Sequence, residues 1–131
     1  MFGTGASKGI GFELAVGLAR AGASVVANYN SDERGALAVV EQIVSSGGRA
    51  IAVGADVASV AGCRELVDRA VREFGRLDIA CCHAGITSWG KFLDFTEEAF
   101  DAVGNTNPKG ANLTARAAAR QLLTQAPAGP S

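Results

Sequence analysis

Apolar positions along this chain follow two alternating rhythms: short continuous or β-branched runs, and longer stretches with an apolar residue every three or four positions. The first rhythm predicts strands and the second predicts helices. Ile10, Leu14 and Leu18 recur at i, i+4 and i+8 and predict a first helix with that stripe facing inward. Ala23-Ser24-Val25-Val26-Ala27-Asn28-Tyr29 follows as a strand. Ser31-Asp32 is an N-cap signal for a second helix, in which Leu37, Val40 and Val44 keep helical spacing until Gly47-Gly48 stops it. Ala50-Ile51-Ala52-Val53-Gly54 is the next strand. Ser59 caps a third helix whose stripe is Cys63, Val67, Ala70 and Phe74, and Gly75 ends it. Leu77-Asp78-Ile79-Ala80-Cys81-Cys82 supplies a fourth strand.

Strands and helices that alternate through short connections require a parallel sheet with helices on both faces and right-handed crossovers. The predicted fold class is therefore doubly wound α/β. Thr96-Glu97-Glu98 opens a further helix, with acidic residues where the helix dipole favours them. Asn105-Thr106-Asn107-Pro108 interrupts it. Proline inside a helix costs about 3 kcal/mol but is tolerated at the first position of a new one, where its missing N–H has no partner to lose. A short helix ending near Gly104 and a longer one from about Pro108 to Leu123 are expected. The tail, residues 125–131, has two prolines and no apolar pattern and is expected to fray, leaving residues 1–124 as one domain.

Composition narrows the class. A length of 131 residues suits a single core, and 48% apolar residues with 17 glycines fit a turn-rich α/β protein rather than a disordered one. The net charge of −1, with arginines scattered along helices, leaves no footprint for nucleic acid or an anionic membrane. No run approaches a membrane span and no basic-then-apolar leader is present, so a cytoplasmic location is expected. Cys63, Cys81 and Cys82 lack metal-ligand spacing. They read as buried thiols of a reducing compartment, with adjacent Cys81 and Cys82 on opposite faces of a strand.

The candidate chemistry lies just ahead of the first helix. Thr4-Gly5-Ala6-Ser7-Lys8-Gly9-Ile10-Gly11 sets three glycines at a helix N-terminus, where free backbone N–H groups and the positive end of the dipole favour a pyrophosphate. A strand-to-helix turn that binds nothing would carry similar glycines. The strand that follows at βαβ spacing favours the nucleotide reading.

With these elements placed, the chain resembles the short-chain dehydrogenase/reductase family over essentially its whole length. Four segments carry the resemblance. Thr4 to Gly11 matches the TGxxxGxG cofactor turn, which implies contacts from Gly5, Ser7, Lys8, Gly9, Ile10 and Gly11. Asp56 and Val57, after the third strand, match the pair that faces the adenine ring; a plain turn role for Asp56 is the alternative. Cys82-His83-Ala84-Gly85 stands where the family usually has Asn-Asn-Ala-Gly, implicating His83, Ala84 and Gly85. Neutral imidazole both donates and accepts, as the replaced amide does, though in a different geometry, and a structural role for this lone His is the other reading. Asn105-Thr106-Asn107-Pro108-Lys109-Gly110 looks like the NxNxxG segment, whose second Asn, Asn107, belongs to the family's catalytic set; capping of the following helix by Asn105 or Asn107 is the alternative.

Cofactor choice turns on the end of the second strand, where an acidic residue would hold a ribose 2′-OH. That place holds Asn28, Tyr29 or Asn30, with Asp32 shortly beyond. Lys8 can pair with a 2′-phosphate, so NADP(H) is expected over NAD(H), with Asp32 as the counter-indication. The resemblance implies a partial NAD(P)-binding Rossmann-like domain with strand order 3-2-1-4 and a shortened first strand, cut short at both ends. Its implied chemistry is hydride transfer between the dinucleotide and a small carbonyl compound or polyol. The only tyrosine, Tyr29, is followed four residues on by Glu33, so the family's Tyr-x-x-x-Lys pair and its Ser partner are not matched. The chain alone is expected to be inactive and marginally stable, with an apolar surface on its last helix suited to a homo-oligomer. A non-catalytic dinucleotide-binding or subunit-interaction module is the alternative function. Trp89, Phe92 and Phe95 line the near wall of a substrate pocket or cap the fourth strand.

Overall fold

A computed structural model of the chain describes residues 2–3, 6, 9–85 and 91–127. Its elements are β1 (Phe2–Gly3), α1 (Gly9–Arg20), β2 (Val25–Tyr29), α2 (Glu33–Ser45), β3 (Ala50–Gly54), α3 (Val60–Phe74), β4 (Ala80–Cys81), α4 (Glu97–Gly104) and α5 (Gly110–Thr124). The strands form one parallel sheet in the order β3-β2-β1-β4. Five residue pairs join β2 to β3, from Val25 opposite Ala50 to Tyr29 opposite Gly54. β1 offers only Phe2 and Gly3, to Val26 and Ala27 on one side and to Ala80 and Cys81 on the other.

Alternating strand side chains split the core into two. Val26 and Val53 pack with Cys63, Leu66, Val67 and Ala70 of α3 and with Leu77 and Ala118. Val25 and Ala27 pack on the opposite face with Ala15 and Val16 of α1 and Val39 and Ile43 of α2. Val25, Val26 and Ala27 are all 0% exposed, as a strand covered on both faces must be.

The local stop and start signals sit where the sequence places them. Asp32 accepts from Gly35 N–H at 3.0 Å, Ser59 from Gly62 N–H at 2.9 Å and Thr96 from Ala99 N–H at 3.1 Å. Gly75 ends α3 in the left-handed region at φ +84°, a conformation that costs other residues more. Helix orientation departs from the predicted stripes. Of the expected inward residues of α1, Ile10 and Leu14 are exposed, and Gly11, Ala15 and Val16 are buried instead. In α2, Leu37 and Val44 are exposed while Ala36, Val39 and Ile43 are buried. The buried face of each helix mixes small residues, Gly11, Ala15 and Ala36, with β-branched ones, Val16, Val39 and Ile43.

Two further expectations are corrected. The fourth strand is paired only at Ala80–Cys81, because the described part of β1 gives it two residues to register against. Leu77 is still fully buried. Gln125 and Ala126 are tied to the segment after α3: the Gln125 side-chain oxygen accepts from Leu77 N–H at 2.8 Å, its Nε2 donates to Leu77 O, and Arg76 donates to Ala126 O at 3.1 Å. The cysteines are not all buried, since Cys82 is exposed and Cys81 half-buried. The interruption at Pro108 is a π-helical turn, Asn105–Lys109, which carries α4 into α5 by widening the backbone at the residue that lacks an N–H.

Candidate functional site

At the carboxyl edge of the sheet the strands open onto a crevice of about 390 Å³, within the range of about 300–1,000 Å³ usual for small-molecule sites. Doubly wound sheets bind ligands at this edge, because the helices on either side leave in opposite directions and expose the strand ends. Each segment singled out in the sequence reaches the crevice. Gly9 and Ile10 come from the head of α1, and Asn28, Tyr29, Asn30, Ser31 and Asp32 from the end of β2 and its turn. Ala55, Asp56 and Val57 follow β3, His83, Ala84 and Gly85 follow β4, and Thr106 comes from the π-helical turn. Gly5, Ser7 and Lys8 lie outside the described residues, as does Trp89.

The head of α1 is built to face a ligand. Gly9 has φ +61°, and a Cβ placed on it would meet nothing within 4 Å, so bare backbone is presented there. Ile10, one of the residues the resemblance implicates, is 73% exposed beside it and gives the crevice an apolar wall. Gly11 is buried within the first turn of the helix. A 12-residue helix directs its N–H groups and dipole toward this end. The donor set, apolar wall and open backbone fit the pyrophosphate of a dinucleotide.

The side bordered by β2 and β3 is fixed by hydrogen bonds. Asn28 is buried, and its Nδ2 donates to Tyr29 O, Val53 O and Ala55 O. Asp56 is exposed to the crevice, and its Oδ1 accepts from Ala58 N–H at 2.9 Å while its carbonyl accepts from the Ser59 hydroxyl at 3.0 Å. It is thus a turn residue and a crevice residue at once. Val57 is buried in the core, and its carbonyl accepts from the Cys63 thiol at 3.2 Å. Asp32 lines the crevice with one carboxylate oxygen committed to the N-cap of α2. Tyr29 lays its ring across Gly54, where a Cβ would stand 3.0 Å from its hydroxyl oxygen.

On the far side, a Cβ on Gly85 would come 3.1 Å from Asn107 Oδ1, so the glycine makes room for that side chain. The N-cap positions of the π-helical turn and of α5 fall on Gly104 and Lys109, and neither makes a side-chain cap bond. Burial pushes the thiol of Cys81 up from its usual value. Burial and the neighbouring thiols of Cys81 and Cys63 do the same for Cys82. Phe92 and Leu93, each 92% exposed, lie in a single 3₁₀ turn, Phe92–Asp94. Among the described residues no group of His, Cys, Asp and Glu is arranged to hold a metal ion, and no helix is long and apolar enough to cross a membrane.

Sequence reasoning missed Thr106 and Gly62. A Cβ on Gly62 would fall 2.0 Å from the Asp56 carbonyl oxygen, so this glycine lets the first turn of α3 press against the Asp56 turn. Its only sequence signal is a glycine in the first turn of a capped helix, where alanine would serve the helix better.

Comparison with known proteins gives a consistent picture. The family model for short chain dehydrogenase matches residues 1–129. The chain is 46% identical over 119 residues to a short chain dehydrogenase of Claviceps purpurea, covering 91% of this chain and 45% of that protein. It is 44% identical to versicolorin reductase of Emericella nidulans, again covering 91% of this chain and 45% of the relative. It resembles the crystal structure of a short chain dehydrogenase from Burkholderia cenocepacia in complex with NADP. That match has TM-score 0.87 and 41% identity, covering 92% of this chain and 49% of the other. The chain therefore spans about half the length of the relatives it matches.

Proposed function

The chain belongs to the short-chain dehydrogenase/reductase family, and we propose that it is the dinucleotide-binding portion of an oxidoreductase that uses NADP(H) in the cytoplasm. The observation that carries this reading is the convergence of the α1 head, the β2 end, the Asp56 turn and the His83–Gly85 segment on one crevice. The α1 N-terminus would hold the pyrophosphate through its N–H groups. Asp56 would accept from the adenine amino group, and Asn30 and Ser31 would face the ribose end. The bound cofactor would supply or accept the hydride for a small carbonyl compound or polyol.

The state of the carboxylate nearest the ribose end supports a preference for NADP(H). Asp32 already spends Oδ1 on Gly35 N–H at the head of α2, which lowers its value as an acceptor for a ribose hydroxyl. Asn30 and Ser31, both exposed and uncharged, precede it. The Burkholderia cenocepacia relative is described with NADP. Calorimetric titration should give NADPH about tenfold tighter than NADH, the difference one charge-assisted contact makes. Equal or tighter NADH binding would overturn the preference.

Within these 131 residues Asn107 is the one match to the family's catalytic set, and it faces Gly85 across the crevice from the adenine side. Tyr29 packs over Gly54 and has Glu33 four residues later, so it cannot serve as a lysine-assisted acid. We therefore read the chain by itself as binding without turnover. Measurable NADPH oxidation with a ketone or quinone would reject that. A dinucleotide-binding or subunit-interaction module is the second reading. It is favoured by α5, which has no acidic residue and exposes Leu122 and Leu123 to a homologous subunit.

A further inference from the structure

β2 is buried on both faces, and it carries a single buried polar side chain. Val25, Val26 and Ala27 are apolar and fully enclosed, yet Asn28 follows them at 2% exposure. A leucine would fill similar volume there without the cost of burying an amide, so the amide must be used. Its use is at the point where the sheet ladder runs out. β2 and β3 pair in register as far as Tyr29 opposite Gly54, and Ala55 N–H makes a last bond to Tyr29 O at 3.0 Å. Beyond that, parallel strands diverge to form the crevice, and their final carbonyls need other donors.

Asn28 Nδ2 lies 3.1 Å from Val53 O, 3.1 Å from Ala55 O and 3.2 Å from Tyr29 O. Two N–H hydrogens serve three carbonyls, one of them shared. On its main-chain side, Asn28 O accepts from Ala6 N–H at 3.4 Å. One residue thus joins the end of β2, the wall formed by Ala55, Asp56 and Val57, and the turn that precedes α1.

We propose that Asn28 is a positioning residue for the adenosine end of the dinucleotide: its carboxamide holds the Ala55–Val57 wall against the Tyr29–Ser31 turn at the separation the ligand requires. This rests on the dinucleotide reading above. Asp56 reaches the crevice on a turn whose upstream anchor is Ala55, and Ala55 is held by two bonds, its N–H to Tyr29 O and its C=O from Asn28. Tyr29 O keeps its bond from Ala55 N–H, but loss of the amide takes the side-chain donor from the Ala55 carbonyl and frees the wall to relax outward.

The test is Asn28→Leu in the 131-residue chain, which removes the three donations at similar volume, with Asn28→Ser as a milder variant that keeps one donor. Titration with NADPH and with 2′,5′-ADP, the adenosine end alone, should show about tenfold weaker binding of both to Asn28→Leu and a smaller loss for Asn28→Ser. Ile43→Val is the control: Ile43 is buried against α1 and β2 outside the crevice lining. It should lower the melting temperature and leave both affinities within about twofold. Unchanged NADPH affinity in Asn28→Leu, or an equal loss in an Ile43 variant of matched melting temperature, overturns the proposal. Amide hydrogen exchange supplies a readout without ligand. Faster exchange in Asn28→Leu confined to Ala55 and Ala58 supports the positioning role even if wild-type chain fails to bind NADPH, an outcome that would instead sink the dinucleotide reading. Uniform acceleration across β2 and β3 overturns the positioning role.

Discussion

The two sides of the sheet differ in how they are held. β2 and β3 share five pairs, lie between two cores and end in a hydrogen-bonded wall around Asn28 and Asp56. β1 and β4 share two pairs, and past β4 the chain exposes Phe92, Leu93 and Phe100. The β2–β3 side of the crevice is therefore preorganised by pairing and burial, while the described part of β1 gives β4 two residues to pair with.

This contrast can be broken by mutation. Leu66→Ala, at a 0% exposed position of α3, should cost about 2–5 kcal/mol in urea unfolding. A cost below about 1 kcal/mol would show that the better-paired side is not the seat of stability. Gly62→Ala should come next, at about 1–3 kcal/mol, since its Cβ must displace the Asp56 backbone. It should also weaken NADPH binding in calorimetry, which Leu66→Ala should not do at temperatures where the variant is folded. Gly75→Ala forces a side chain into φ +84° and should lower stability by about 1 kcal/mol, read as a shift in thermal midpoint. Leu93→Ser, on the exposed side, should change stability by no more than about 0.5 kcal/mol and reduce self-association in sedimentation.

The smallest effect expected is that of pH. Cys81 and Cys82 have thiols raised by burial, so the folded chain resists ionising them. Above the ordinary thiol value of about 8.5 the unfolded chain loses these protons first, and stability falls as pH rises. Below that value neither state ionises and the contribution is constant. Alkylation of Cys82 at pH 8 should be slower than that of a free thiol peptide, and equal rates would remove the effect.

The parts of this molecule that were legible in sequence are those set by contacts within a few residues. Asp32, Ser59 and Thr96 cap helices because a side-chain oxygen reaches an N–H three residues on, and Gly75 ends α3 because glycine adopts positive φ freely. The crevice segments at Gly9–Ile10, Asn28–Asn30, Asp56–Val57 and His83–Gly85 were legible through their place at strand ends and through family resemblance. The faces of α1 and α2 were not. Periodicity marks an apolar helix, but Ala15 and Ala36 are buried while Leu14 and Leu37 are exposed, because the face a helix buries is set by its packing in the whole fold.

The sequence by itself determined the order of elements, their caps, the doubly wound class and which segments carry the candidate site, since each is encoded by local chemistry or by spacing along the chain. Only the tertiary structure decided that Asn28 spends its amide on the carbonyls of β3, that Gly62 must stay bare beneath Asp56, and that Gln125 clasps Leu77. Those contacts join residues that neither propensity nor period relates, and they form only when strands meet in register and helices press against them.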